Sequence, residues 1–290
     1  METFFTFLER RVDDCSSLLC VGLDPHIPDL KEPSAASARD FCLDLVKQTA
    51  RYAAAFKPNS AFFEVFGADG WIALRQVIDA IHAESLRLGS MIPVILDAKR
   101  GDIASTADAY AKSAFENLGA HGITLSPYLG KDSIEPFIKD HEKGVFLLCK
   151  TSNPGSGDLQ DLMVDGGRWT KDDPSRSMVN GQQSMPLYEH VAHLAQTWNT
   201  RNNIGLVVGA THLEAMQRVR AAAPGLWFLA PGVGAQGAEM EAALKADLRK
   251  DGKGLLISIS RGISRAENPA GAAAEIRDQI MNIKRDWGQK

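Results

Sequence analysis

One alternation runs through the whole sequence: a short apolar run, then a longer stretch with helical spacing, eight times over. The runs are Leu18–Leu23, Ala53–Pro58, Pro93–Asp97, Gly122–Leu125, Val145–Cys149, Ile204–Val208, Trp227–Ala230 and Leu255–Ser260. Each is short, and each reads as a strand covered on both faces. Strands separated by helices cannot pair through tight hairpins, so they run parallel. Eight is the number that closes a (β/α)₈ TIM barrel, and that is the fold class expected. An open doubly wound sheet is the alternative. It needs a glycine-rich turn opening the first helix, and none is there. Gly232-Val233-Gly234-Ala235-Gln236-Gly237 follows the seventh run instead and is weak as a dinucleotide fingerprint.

The chain is expected to form a single barrel domain over residues 1–290, with two additions. Residues 1–12 carry Phe4, Phe5, Phe7 and Leu8, then Glu9-Arg10-Arg11. That order is an amphipathic helix packed on the body, not a signal peptide. At about 150–185 the rhythm breaks into a long loop rich in Gly, Ser and Asp, the length of a lid. Elsewhere the helix ends are marked. Ser34 or Ser37 caps a helix through Asp40 to Tyr52, Gly89 closes one over Gly70–Leu88, and Gly119 stops one that runs to Leu118. Further helices are expected over Ser133–Asp140, Leu187–Trp198, Leu213–Ala223, Glu239–Arg249 and Pro269–Trp287.

Composition removes several function classes. The net charge is −4 and no long basic run exists, which argues against a nucleic-acid surface. No apolar stretch approaches the ~20 residues of a membrane span. Cys15, Cys20, Cys42 and Cys149 form no CxxC pair and fit buried thiols in a reducing cytoplasm.

A barrel carries its chemistry at the C-terminal ends of its strands. Read there, the sequence offers Asp24, Lys57, Asp97, Lys99 and, one turn of loop later, Asp102. Asp97 and Lys99 are two apart, so in an extended chain they point to the same face. The signs alternate from Lys57 to Asp102, and each carboxylate beside an ammonium favours the charged form of both. Taken singly, Asp102 also reads as a helix N-cap, and Lys99 with Asp97 as a structural ion pair. Taken together, that many charges at a strand end are costly unless they neutralise one another. The loops after the seventh and eighth runs suit a phosphate. Gly232, Gly234 and Gly237 allow close backbone approach, Gln236 donates from its amide, and Arg261 holds phosphate bidentately. His190 and His193 stand i, i+3 on a helix with no carboxylate or thiolate partner in view, so no metal site is expected.

These residues resemble the orotidine 5′-phosphate decarboxylase family. Asp97-Ala98-Lys99-Arg100-Gly101-Asp102 looks like its DxKxxD motif. Phe56-Lys57-Pro58-Asn59, Ser152-Asn153-Pro154-Gly155, Pro231–Gly237 and Ser260-Arg261-Gly262 fit its longer bacterial class. The resemblance runs from Asp24 to Arg261. It implies decarboxylation of orotidine 5′-phosphate to UMP in pyrimidine biosynthesis, with no metal and no organic cofactor. It implies Asp24 and Lys57 at the ribose, Asp97 against the substrate carboxylate, and Lys99 as proton donor to C6. Ser152 would contact the pyrimidine, while Gln236 and Arg261 would hold the 5′-phosphate. Asp102 and Thr106 would reach the neighbouring site of a homodimer. The magnesium-using hexulose-6-phosphate synthase and keto-gulonate-6-phosphate decarboxylase relatives also resemble this pattern. Theirs is an acidic residue at the end of the second strand, where this chain has Lys57.

Overall fold

In a computed structural model of the chain, the described residues are 2–164, 184–232 and 237–287. Eight parallel strands follow one another around a barrel: β1 Leu19–Leu23, β2 Ala55–Pro58, β3 Ile95–Arg100, β4 Gly122–Leu125, β5 Gly144–Lys150, β6 Ile204–Val208, β7 Phe228–Pro231 and β8 Leu255–Ile259. Ladders join every consecutive pair from β3 to β8, then β8 to β1 and β1 to β2. The last gap, β2 to β3, is closed by two isolated bridges, Phe56 with Val94 and Asn59 with Asp97. The TIM barrel is thus the observed fold, and the open-sheet alternative is excluded. β1, β6 and β8 are buried along their whole length, as strands covered by helices on one face and by barrel core on the other must be.

The longer helices are α1 Phe4–Cys15, α2 Ala35–Thr49, α3 Gly67–Leu88, α4 Ala104–Lys112, α5 Leu187–Trp198, α6 Leu213–Ala222, α7 Gly237–Asp247 and α8 Pro269–Trp287. Ser34 is the cap of α2, its hydroxyl accepting from the Ser37 N–H at 3.1 Å. Gly89 closes α3 in the left-handed conformation, which glycine adopts without a Cβ clash. Three elements differ from the sequence reading. The helix expected to Leu118 is α-helical only to Lys112 and continues as a π turn over Ser113–Asn117. The helix expected over Ser133–Asp140 shrinks to Glu135–Ile138 behind a 3₁₀ turn, because Pro136 lacks a donor and fits only the first turn. β3 runs three residues past Asp97, for a reason that belongs to the site. Of the loop expected over 150–185, residues 165–183 lie outside the described residues. The rest holds a short helix, Gly157–Gln160, and a two-residue ladder of Met163–Val164 with Met185–Pro186.

The helix expected over 1–12 is α1, which runs on to Cys15 and plugs the N-terminal end of the barrel. Phe4 and Phe5 are fully buried and meet Phe146 edge-on, and Phe5 stacks on Trp227. Arg11 reaches across to the chain entering β2, donating to the carbonyls of Ala50 at 2.6 Å and Ala53 at 3.0 Å. Room for the plug comes from the sequence: a Cβ on Gly144 would come 2.1 Å from Phe4 Cδ1 and 2.4 Å from its Cγ. Gly144→Ala should therefore lower stability by about 1–3 kcal/mol through overpacking. A denaturant midpoint equal to that of the wild type would show that Phe4 does not fill the barrel end.

Candidate active site

Two neighbouring strands bring a chain of charges to the C-terminal mouth. Lys57, at the end of β2, donates to Asp97 Oδ2 at 2.7 Å. Lys99 donates to Asp97 Oδ1 at 2.5 Å. Both Lys57 and Asp97 are buried, whereas the Lys99 side chain is half exposed and faces the mouth. Burial by itself would lower the Lys57 ammonium, but Asp97 and then Asp24 reverse this and hold it above the ordinary lysine range. Burial would likewise raise Asp97, but Lys57 and then Lys99 outweigh it and hold the carboxyl at about 2. Lys57 and Asp97 are therefore both charged across the neutral range.

The local backbone is not the regular strand that the i, i+2 spacing assumed. In the β3–β4 ladder Leu96 pairs with Ile123 and Arg100 with Leu125, so three residues on β3 face one, Thr124, on β4. Such a bulge re-aims side chains. Within it Lys99 adopts φ +48°, the left-handed region that a residue with a Cβ visits at a cost of about 1–2 kcal/mol. Asp97 and Lys99 do meet, but through this bulge rather than through pleating. Arg100 anchors the far side, paired with Glu64 at 2.5 Å and lying 5.1 Å over the Tyr110 ring.

The other expected residues lie around this centre. Asp24 follows β1, and its buried Oδ1 has no hydrogen-bond partner among the described residues. Asp102 is half buried beyond β3 and is not joined to the Lys57–Asp97–Lys99 chain among the described residues; its Oδ1 accepts the neighbouring Ile103 N–H at 2.8 Å. It is not the helix N-cap either, since Ile103 holds that position at α4. Thr106 is exposed on the first turn of α4. Ser152 lies against the ends of β6 and β7: a Cβ on Gly209 would come 2.9 Å from its backbone N, and one on Gly232 would come 3.5 Å from its Oγ. Arg261 is exposed directly after β8. Gln236 and Gly234 lie outside the described residues. His26 packs edge-on against Phe62 at 4.4 Å, as a loop residue would. Among the described residues no cluster of His, Cys, Asp and Glu could hold a metal ion.

A profile of the orotidine 5′-phosphate decarboxylase / HUMPS family matches residues 17–276. The chain belongs to this family. An orotidine 5′-phosphate decarboxylase of Roseiflexus castenholzii is 45% identical over 285 residues, covering 97% of this chain and 96% of that one. One from Paracidovorax citrulli is 43% identical over 288 residues, covering 98% and 97%. The solved Leishmania donovani OMP decarboxylase superposes with a TM-score of 0.81 at 50% identity, covering 98% of this chain and 99% of that one.

Two groups at this OMP decarboxylase-family mouth escaped the sequence reading. Thr124 is buried beside Asp97, donates to its Oδ1 at 3.0 Å and accepts two backbone N–H groups. Lys150, at the end of β5, is buried too. Its ammonium donates to Asp161 Oδ1 at 2.7 Å and Ser156 Oγ at 3.2 Å, folding the start of the long loop back on itself. Thr151 and Gln160 add a second pair of hydrogen bonds across that turn, both 2.9 Å, so Ser152 is bracketed on a fixed loop. A lysine ending an apolar strand was the signal available for Lys150; a lone threonine in a strand gives none.

Proposed function

We propose that the chain decarboxylates orotidine 5′-phosphate to UMP, with Lys99 protonating C6 as carbon dioxide leaves. The observation that carries this is the Lys57–Asp97–Lys99 charge chain at the barrel mouth of a family member. Loss of carbon dioxide from C6 leaves a vinyl-type carbanion with no electron sink in the ring. A fixed ammonium stabilises that charge and then supplies the proton. Asp97 holds the Lys99 ammonium aimed, and it sets a negative charge beside the departing carboxylate. Asp24 and Lys57 take the ribose; the unpartnered Asp24 Oδ1 suits a hydroxyl donor. Ser152 takes the pyrimidine, and Arg261 with Gln236 takes the 5′-phosphate. Phosphate binding far from C6 orders these charges, so it raises the rate as well as affinity.

This chemistry uses side chains alone, in contrast to the magnesium-dependent enediolate relatives. Lys57 supports that choice, because an ammonium paired with Asp97 at the second strand end repels a divalent cation. The direct test follows orotidylate absorbance after exhaustive chelation. Undiminished loss of absorbance is the expected result, and activity that returns only with added magnesium would favour the relatives' chemistry.

The working unit proposed is a homodimer that shares Asp102 and Thr106 across its interface. Among the described residues Asp102 has no tie to its own charge chain, and the segment after it is exposed although Ala104 sits at φ +49°. Strained backbone persists where its surroundings hold it, and here a second copy would supply them. Ile103, Tyr128 and Leu129 add exposed apolar surface on the same rim. Four buried free thiols suit a reducing cytoplasm, and among the described residues no helix is long and apolar enough to cross a membrane.

Arg261→Ala should cost ~1.5–3 kcal/mol in handling of the nucleotide, the loss of a charge-assisted contact. Added guanidinium should restore part of the rate, and the phosphate-free nucleoside should be little affected. Equal damage to nucleoside and nucleotide would assign Arg261 another task.

A further inference from the structure

We infer that Thr124 is a positioning residue for this reaction: its single hydroxyl holds both the aim of the Asp97 carboxylate and the left-handed backbone of Lys99. The inference rests on the reading of Lys99 as proton donor. A hydroxyl offers one proton and two lone pairs. Here the Ala98 N–H reaches Thr124 Oγ1 at 3.1 Å and the Lys99 N–H at 3.0 Å, which occupies the lone pairs. The proton is left for Asp97 Oδ1, 3.0 Å away. That oxygen is the one the Lys99 ammonium also meets, while Lys57 meets the other. Every acceptor site on the working side of the carboxylate is thereby assigned before substrate arrives, as preorganised charge requires.

The bulge explains why one residue does so much. Asp97, Ala98 and Lys99 face Thr124 alone across the β3–β4 ladder, so the ladder itself cannot satisfy two successive N–H groups. Thr124 is 2% exposed, so water has little access to take their place. Without the hydroxyl, the Lys99 backbone has no reason to stay at φ +48° and can relax toward a regular strand, which re-aims its ammonium. The effect belongs to the chemical step, since among the described residues the Thr124 hydroxyl bonds Asp97 and the backbone of Ala98 and Lys99, and none of the residues proposed for ribose or phosphate.

The experiment compares Thr124→Val, nearly the same shape without the hydroxyl, with Thr124→Ser, which keeps it. Both are assayed for kcat and KM with orotidine 5′-phosphate, beside Lys99→Ala, and checked by circular dichroism and thermal melting. Thr124→Val should lower kcat by about 10- to 100-fold, the loss of one hydrogen bond to a charged group, with KM within about threefold. Thr124→Ser should recover most of that loss. Where the valine variant does not fold, Thr124→Ala takes its place in the same comparison. A folded valine or alanine variant with wild-type kcat, a serine variant as impaired as they are, or a loss confined to KM would each overturn the inference. The outcomes separate from failure of the proposed function: turnover surviving in Lys99→Ala removes the proton donor itself, whereas an inactive Lys99→Ala with an active Thr124→Val removes only the role of Thr124.

Discussion

Lys99→Ala should reduce turnover by about a thousandfold or more while the barrel stays folded. The side chain is half exposed at the mouth and contributes little to the core, so its removal leaves packing untouched. What it removes is double. In the proposed mechanism the ammonium both stabilises the carbanion at C6 and supplies the proton that quenches it. Loss of one fixed donor to a developing charge costs about 10²–10³ in rate, and general-acid action adds about 10²–10⁴. The two are one group and do not simply multiply. Asp97 then keeps only Lys57 as an ammonium partner, and a negative charge faces the substrate without its shield. Steady-state absorbance kinetics on a variant with a wild-type melting curve decides the matter. More than a tenth of wild-type turnover would falsify the assignment of Lys99 as proton donor.

Mixed dimers should recover about a quarter of wild-type activity from two inactive parents, Lys99→Ala and Asp102→Ala, by the arithmetic of a two-fold composite site. Asp97 and Lys99 face their own barrel, whereas Asp102 lies beyond β3 with no link to them among the described residues. If each site takes Lys99 from one chain and Asp102 from the other, a mixed dimer concentrates both defects in one site and leaves the other sound. Random exchange makes half the dimers mixed, and each has one sound site in two. If Asp102 instead serves its own chain, every site in every pairing keeps one defect. A co-refolded mixture no more active than its parents, with exchange confirmed by differently tagged chains, would refute the shared site.

The barrel was legible because its signal is local. Runs such as Ile204–Val208 and Leu255–Ser260 carry their own period, and Gly89 and Gly119 end helices through conformations that only neighbours in sequence decide. Lys57, Asp97 and Lys99 were legible for a related reason: charges next to apolar runs mark strand ends. Thr124 was not legible, because its value comes from three residues on another strand that a bulge turns toward it. The end of β3 was misjudged on the same account, since no local pattern announces a bulge that lets pairing resume at Arg100. Lys150 needed Asp161 and Ser156, and nothing in a glycine-rich loop says which of its carboxylates folds back.

The seam between β2 and β3 joins folding and chemistry in one place. Seven of the barrel's strand pairs are ladders, but this one is two bridges, and Asp97 sits in one of them. The Ser60 amide donates to the Asp97 carbonyl at 3.2 Å and the Phe56 amide to that of Pro93 at 3.0 Å. These amides belong to the thinnest part of the wall, where opening takes the least free energy and hydrogen exchange runs ahead of the ladders. Any fluctuation that parts the two strands also parts Lys57 from Asp97, so breathing of the barrel also breaks the charge chain on which the proposed chemistry depends. A nucleotide that grips residues of both strands then acts as a clasp, slowing exchange at Phe56 and Ser60 in proportion to its own affinity.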